Sequence, residues 1–489
     1  MKQATLILND EVNVKIEGLD LDTRKRLVNK FKYDIPYARY LPAVRLGRWD
    51  GKVSYFQMGG STFVNLLPEI IPVLEAEGYD VELDDQRNYK TTFEFALTSE
   101  NTFVNHLWPK GHVAEGQPIV LRDYQIDIIN DFLNNPQCIQ EVATGAGKTI
   151  MTAALSWSVQ DYGRSIVIVP NKDLVRQTEK DYINLGLDVG VYFGDRKEHG
   201  RTHTICTWQS LNVLLKNTKA GVGEVTIQDF IEDVVCVMVD EVHMAKADAL
   251  KTLLTGVMAH IPIRWGLTGT VPKEKFESEA LHVSLGPVIS KLAASTLQDM
   301  GVLAQCHVNV VQLVDHVEYK DYQSELKYLL EESGRLDTIS NLVARVNETG
   351  NTLVLVDRVA SGHELVKRLG DQAVFVSGAT KGTERQEHYD QVAESTGKII
   401  VATYGVAAVG INIPRIFNLV LLEPGKSFVR VIQSIGRGIR KAEDKDHVQI
   451  WDITSTCKFA KRHLTKRKQF YKEANYPFTQ EKLEWMTIK

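Results

Sequence analysis

The chain has 489 residues, a formal net charge of −5, 44% hydrophobic and 24% charged residues. This is the profile of a globular protein long enough for about two to four domains. The balance excludes nucleic-acid binding through overall charge, so any basic surface has to be local. No run approaches the apolar length that crosses a bilayer, and Met1-Lys-Gln-Ala lacks a signal-peptide core. The five cysteines, Cys138, Cys206, Cys236, Cys306 and Cys457, are widely spaced with no C-x-x-C pair. That pattern points to buried free thiols in a reducing, cytoplasmic compartment and away from a metal cluster or a membrane.

Residues 1–112 read as a small α/β (α+β) domain. Thr5–Leu8 and Val12–Ile16 suggest a hairpin across Asn9-Asp10, and Asp22 is placed to cap a helix reaching Lys32. A second hairpin is expected from Val53–Phe56 to Phe63–Leu66 through Gly59-Gly60, then a helix over 68–77 and a strand at 81–83. Gly111 to Pro118 reads as a linker. From there strands alternate with helices, the pattern of a parallel sheet covered on both faces. One such domain is expected over 113–290, with strands at 165–169, 203–207, 234–239 and 264–268. A second is expected over 291–455, with strands at 353–356, 373–376, 398–401, 419–422 and 448–451, and a basic helical tail over 456–489.

Val142-Ala-Thr-Gly-Ala-Gly-Lys-Thr149 has the make-up of a phosphate loop. Gly145 and Gly147 allow the tight turn by which the amides of Ala143, Thr144, Ala146 and their neighbours face phosphate oxygens. Lys148 supplies a point charge to the β/γ-phosphates of ATP, and the Thr149 hydroxyl is placed to ligate Mg²⁺. A helix starting here would favour the anion by its dipole. Gln140 and Glu141, on the strand leading in, are polar residues in an element that is normally apolar.

Val239-Asp-Glu-Val-His243 ends an apolar strand in two adjacent carboxylates. Asp240 is expected to hold Mg²⁺ through water, Glu241 to polarise the attacking water, and His243 to couple the site to Gln433 or to Thr268-Gly-Thr270. Upstream, Leu121-Arg-Asp-Tyr-Gln125 offers the Gln125 amide to an adenine edge, with Arg122 and Tyr124 near the base. In Gln433-Ser-Ile-Gly-Arg-Gly-Ile-Arg440, residues Gln433, Arg437 and Arg440 fall on one helical face, and two guanidinium groups one turn apart can clamp a γ-phosphate. Only one of the two α/β units carries a phosphate loop, so the second is expected to serve the first one's site.

These motifs, with Val169-Pro-Asn-Lys-Asp-Leu174, Thr207-Trp-Gln-Ser-Leu211, Leu267-Thr-Gly-Thr270, Val401-Ala-Thr-Tyr404 and Gly410-Ile-Asn-Ile-Pro414, occur in an order that resembles superfamily 2 helicases over residues 119–455. The wording is similar to the branch containing nucleotide-excision-repair helicases and type I restriction motors, and the whole chain resembles the recombination and repair helicases of T-even bacteriophages. The resemblance implies two RecA-like domains in tandem and ATP hydrolysis. It also implies 3′ to 5′ translocation on branched DNA: Holliday junctions, stalled forks and R-loops, with their RNA–DNA hybrids. It implies nucleotide contact near Gly410, and strand-backbone contacts by Asn171, Thr207, Trp208, Gln209, Arg358, Thr403 and Tyr404. Replication and recombination proteins are the partners it suggests, a monomer the assembly, and a host-cell cytoplasm the location. Asn412 stands where many relatives place Asp, and the Asp-Glu-Val-His box differs from the Asp-Glu-Ala-Asp type of RNA helicases.

Between Arg24 and Lys52, nine basic residues face only Asp34 and Asp50, a local charge of +7. Phe31, Tyr33, Tyr37, Tyr40 and Trp49 are interleaved, and Phe31 is expected in the core. Basic residues alternating with aromatics suit phosphate neutralisation plus stacking, and the turn carrying Arg45, Arg48, Trp49 and Lys52 is the candidate for DNA contact. A second basic cluster, Lys458 to Lys472, fits a solvated helix and a DNA-facing one equally. Two other readings compete with a helicase: a duplex translocase that remodels protein–DNA complexes, and a DNA-binding or annealing factor gated by ATP. The carboxylate at Glu241 and the arginines at 437 and 440 argue against a mere gate, which needs neither.

Overall fold

The computed structural model describes residues 2–88, 92–109, 114–241, 247–410, 413, 415–426, 435, 442 and 444–485. These fall into two compact units, residues 1–142 with 147–291, and residues 143–146 with 292–489.

The first unit opens with a four-stranded sheet in the order Ser61–Phe63, Asn13–Glu17, Lys2–Leu8, Tyr79–Asp85. Ala4, Leu6 and Leu8 alternate inward, as a half-buried strand requires. The first hairpin forms as the alternation suggests, with Leu6 opposite Ile16. The helix cap differs: Asp20, not Asp22, accepts the Thr23 amide at 2.8 Å, and the helix runs Leu21–Lys30. Asp22 sits in its first turn, where a carboxylate still favours the helix dipole. The expected second hairpin is not one. Lys52–Ser54 pairs with Lys32–Asp34, whereas Ser61–Phe63 pairs with Asn13–Lys15, so the turn through Gly60 joins two separate sheets.

The N-terminal sheet does not stand alone. Its core includes Ala280 and Val283 from the helix Lys275–Leu285. The Tyr55 hydroxyl donates to the Phe276 carbonyl at 2.8 Å, and Gln137 Nε2 donates to the Glu11 carbonyl at 2.7 Å. Residues 1–112, read from sequence as a separate domain, thus share a core with a helix of the adjoining parallel-sheet region.

The larger sheet of this unit has the order Arg196–Lys197, Val189–Phe193, His203–Thr207, Arg164–Val169, Val234–Asp240, Ile263–Thr268, Gln137–Val142, Val288–Leu292. From Val189–Phe193 to Gln137–Val142 all pairings are parallel. Val234–Asp240 is buried at every position because helices cover both faces. The polar pair in Gln137–Val142 is satisfied: Gln140 donates to the Ile128 carbonyl and accepts from Ser290, and Glu141 pairs with Lys291 at 2.9 Å.

The second unit holds a seven-stranded, fully parallel sheet: Ala373–Val376, Ile399–Thr403, Thr352–Val356, Asn418–Leu422, His447–Ser455, Gln305–Val314, Phe478–Glu484. The C-terminal segment, expected as a helical tail, supplies both the helix Lys458–Glu473 and the edge strand of this sheet. Arg467, counted by sequence among surface bases, is fully buried in a bidentate pair with Asp452 at 2.8 and 2.9 Å, and Tyr471 donates to the same carboxylate. Burial opposes the Arg467 charge, but Asp452 outweighs it and raises the pKa. A second buried network joins Arg335 to Asp315 and Glu423, with Ser455 and Trp485 donating to Asp315. All five cysteines are buried, and no helix of the described residues is long and apolar enough to cross a membrane.

Candidate nucleotide site and nucleic-acid contacts

Each strand of the first parallel sheet delivers its motif to the carboxyl edge, where open α/β sheets bind ligands. Gln137–Val142 ends in the glycine loop, where Gly145 and Gly147 have φ of +91° and +86°. A Cβ on Gly147 would lie 2.6 Å from Gln125 Nε2, so the loop needs glycine for both conformation and room. Gln125 is itself buried and accepts the Arg122 amide at 3.0 Å, while the Arg122 guanidinium donates to the Tyr124 hydroxyl at 3.1 Å. The helix Lys148–Val159 begins directly at the loop, with its amide dipole toward it.

Lys148 Nζ meets Glu241 Oε1 at 2.9 Å and the Val142 carbonyl at 3.3 Å, and both charged side chains are only 9% exposed. Glu241 has φ of +51°, a region that residues with a side chain rarely adopt, and its amide donates to Asp240 Oδ1 at 2.9 Å. Its other oxygen accepts the Gly269 amide at 3.1 Å. Gly269 sits in a turn fixed by Thr268, whose hydroxyl donates to the Thr270 carbonyl and accepts the Thr270 amide. Glu241 is therefore held between the loop lysine and the Thr268-Gly-Thr270 segment. The sequence pointed to Thr268-Gly-Thr270 as a segment coupled to the site, through His243; a coupling is made by Glu241 itself, through the Gly269 amide. His243, Gln433, Arg437, Arg440 and Asn412 lie outside the described residues. Gly410 ends the helix Tyr404–Gly410.

The arrangement suits a nucleotide. A glycine turn and a helix start offer amides to phosphates, and a buried ammonium stands beside them. Thr149 and Asp240 are oxygen donors of the hard kind that magnesium takes.

Comparison with known proteins agrees. Residues 118–273 match the model of the type III restriction enzyme res subunit, and residues 334–442 match the helicase conserved C-terminal domain. The ATP-dependent DNA helicase uvsW of Enterobacteria phage T4 is 24% identical over 490 residues, covering 96% of this chain and 93% of that protein. The chain is an ATP-dependent helicase. A DNA 3′-5′ helicase XPB from Kineococcus radiotolerans is 24% identical to the helicase over 73% of its chain and 64% of the relative. The type ISP restriction-modification enzyme LlaBIII, solved bound to DNA, superposes with a TM-score of 0.55 at 14% identity over 85% of the helicase chain and 34% of that chain, a likeness of fold.

The helicase places the residues expected to touch a nucleic-acid strand at the same carboxyl edges, but not all point outward. Asn171 caps the helix Lys172–Asn184 through its Oδ1, leaving Nδ2 buried with no hydrogen-bond partner among the described residues. Thr207 caps Trp208–Lys219, and its hydroxyl is buried against Ser210. Trp208 packs partly into the core. Gln209 is exposed, and its Nε2 reaches the Pro170 carbonyl at 3.5 Å. In the second unit Arg358 pairs with Glu331 at 3.2 Å, and Thr403 ends its strand half-buried. Tyr404, expected to contact the strand, is buried with its hydroxyl on the Leu422 carbonyl, so its ring serves the core.

In the N-terminal turn, Arg45, Arg48 and Lys52 are exposed, but Lys52 pairs with Asp34 at 3.2 Å and Lys32 with Asp50 at 2.6 Å. Arg39, Arg45 and Arg48 have no ion pair among the described residues; Arg39 lies over the Tyr40 ring instead. Trp49 is half-buried, its indole N–H donating to the Lys52 carbonyl at 2.9 Å. Tyr40 and Leu46, at 60% and 64% exposure, are the outermost apolar groups, which sequence reasoning passed over in favour of Trp49. Phe31 is core, as expected.

Proposed function

We propose that this helicase is an ATP-driven DNA motor acting on branched DNA (junctions, stalled forks and R-loops) in recombination, repair and replication restart, translocating 3′ to 5′. The observation that carries the DNA assignment is the N-terminal turn: three arginines without an ion pair among the described residues, beside exposed Tyr40 and Leu46, built into the unit that holds Lys148, Asp240 and Glu241. Phosphate neutralisation next to an apolar and aromatic tip suits a place where paired and unpaired DNA meet. The uvsW relative, named a DNA helicase and matched over 96% of this chain, supports the same substrate, and the XPB relative, named a 3′-5′ helicase, supports the polarity.

In this reading Gln125 addresses the base, the 143–147 amides and Lys148 bind phosphates, Thr149 and Asp240 hold Mg²⁺, and Glu241 orients the water. Gln433, Arg437 and Arg440 stabilise charge in the transition state. ATP supplies the cleavable phosphoanhydride and Mg²⁺ the charge neutralisation. Lys148 exchanges Glu241 for phosphate contacts, which leaves one Glu241 oxygen for the water while Gly269 fixes the other.

The test compares ATP turnover with a four-way junction, single-stranded DNA, RNA and no nucleic acid, then strand displacement from 3′-tailed and 5′-tailed forks. Strongest stimulation by the junction and displacement from 3′ tails are expected. Equal stimulation by RNA and junction would overturn the branched-DNA assignment, and displacement from 5′ tails alone would reverse the polarity.

A further inference from the structure

A cavity of about 810 Å³ opens in the second unit at the carboxyl ends of the strands Gln305–Val314 and His447–Ser455. One wall is the helix Lys458–Glu473, which contributes Lys458, Lys461, Arg462 and Thr465. The spacing i, i+3, i+4, i+7 puts all four on one face, and all four are exposed. None of the three cations has an ion pair among the described residues, unlike Arg467 on the opposite, buried face of the same helix. The acidic lining is weaker than it looks. Asp315 is turned inward onto Arg335, Ser455 and Trp485, which leaves Glu318 as the acid not so engaged.

The wall is also rigid. The buried Glu325 accepts the Phe459 and Ala460 amides at 3.1 and 2.7 Å, tying down the first turn, and the Arg467–Asp452 pair ties down the third. Long cationic side chains on a fixed helix lose less entropy on contact than the same groups on a loose tail. Among the described residues no aromatic ring lines the cavity itself; the nearest, Phe459, lies beneath Lys458 and Arg462 at 5.8 and 5.9 Å, so the face offers charge to a backbone more than a platform for bases. From Lys458 to Thr465 the face spans roughly 10 Å at 1.5 Å per residue. That length meets about two or three phosphates at the 3.4 Å per-strand spacing of duplex DNA.

We propose that this face is a second DNA-backbone site of the helicase, gripping the sugar–phosphate chain without reading its bases; the inference rests on the reading of the protein as a DNA motor. Its occupant is DNA, bound through Lys458, Lys461 and Arg462.

The experiment measures DNA affinity of the full chain against salt concentration for wild type, for Lys458→Gln/Lys461→Gln/Arg462→Gln, and for the charge-retaining Lys458→Arg/Lys461→Arg. Each lost phosphate contact lowers the salt slope by about 0.7 on single strands and about 0.9 on duplex. The triple variant is therefore expected to lose about 2 from the slope on single strands or nearly 3 on duplex, with weaker binding, while the arginine variant keeps the wild-type slope. A matching melting temperature shows that the triple variant folds, and the arginine variant tests the site should it not. Loss on single strands alone, or on duplex alone, identifies the form of DNA gripped. Wild-type slope and affinity in the triple variant, or an equal loss in the arginine variant, would overturn the proposal. Absence of DNA binding by the wild type would instead defeat the motor reading itself.

Discussion

The pair Lys148–Glu241 gives the sharpest test of the nucleotide site, because its two charges depend on each other before any substrate arrives. Lys148→Met leaves Glu241 as a carboxylate that is 9% exposed, facing an apolar side chain in place of its ammonium partner, with the Gly269 amide still on its other oxygen. Removing one partner of a buried pair costs about 3–5 kcal/mol, and the residual exposure places this case at the lower end, about 3 kcal/mol. A unit of this size melts roughly 2 °C lower per kcal/mol, so a fall of about 6 °C is expected. Glu241→Gln should cost a similar amount, since its amide can satisfy Gly269 or face Lys148 but not both. In the double variant both charges are gone, and most of the loss should be recovered. Five of the seven tryptophans, Trp49, Trp108, Trp157, Trp208 and Trp265, lie in this unit, so thermal unfolding followed by tryptophan fluorescence reports on it. ATP turnover falls in all three variants and cannot separate the roles; the stability cycle can. Additivity of the two single losses within about 0.5 kcal/mol would refute the contact, because independent sites add to that tolerance.

Gly147→Ala forces a side chain into φ +86° with its Cβ 2.6 Å from Gln125 Nε2. Strain of about 1–2 kcal/mol should weaken nucleotide affinity by roughly tenfold, read by titration of a fluorescent ATP analogue. Arg45→Ala/Arg48→Ala should lower the salt slope of junction binding by about 0.9 per contact, measured by anisotropy, whereas Trp49→Ala should leave it unchanged. Burial raises the Asp181 carboxyl from 3.8 to about 6. The unfolded chain releases that proton first, so the folded state is penalised as pH rises from about 4 through 6, fully above. Asp181→Asn should therefore raise the melting temperature at pH 7.5 and leave it unchanged near pH 4.

Much of this fold is legible because buried parallel strands read as short apolar runs between helical periods. Val234–Asp240 and His203–Thr207 stand out in that way, and so do the motifs at their ends. Phe478–Glu484 does not: an edge strand with most side chains in solvent carries no hydrophobic signal, so it reads as tail. Strand pairing is equally hidden, since nothing in Val53–Phe56 says whether it meets Lys32–Asp34 or Ser61–Phe63. At the site, residue types suggested the roles of Lys148, Asp240 and Glu241 and singled out Thr268-Gly-Thr270, but a backbone amide has no identity in sequence, so the hydrogen bond from Gly269 to Glu241 was not legible. Charge counting also failed to separate Arg467, whose partner Asp452 is fifteen positions away on a strand, from Arg462, which faces solvent.

The core shared by the N-terminal sheet and the helix Lys275–Leu285 bears on how such a motor could be shortened or rebuilt. The first hundred residues are not an attachment joined by a tether: Ala280 and Val283 are apolar because that sheet covers them. A lineage that lost the sheet would have to recolour this helix with polar residues, and a graft onto a foreign motor would have to bring the helix along. The same helix follows closely on the Thr268-Gly-Thr270 turn that grips Glu241. Any such cut would therefore fall within a few positions of the backbone that holds the nucleotide site's buried carboxylate in place.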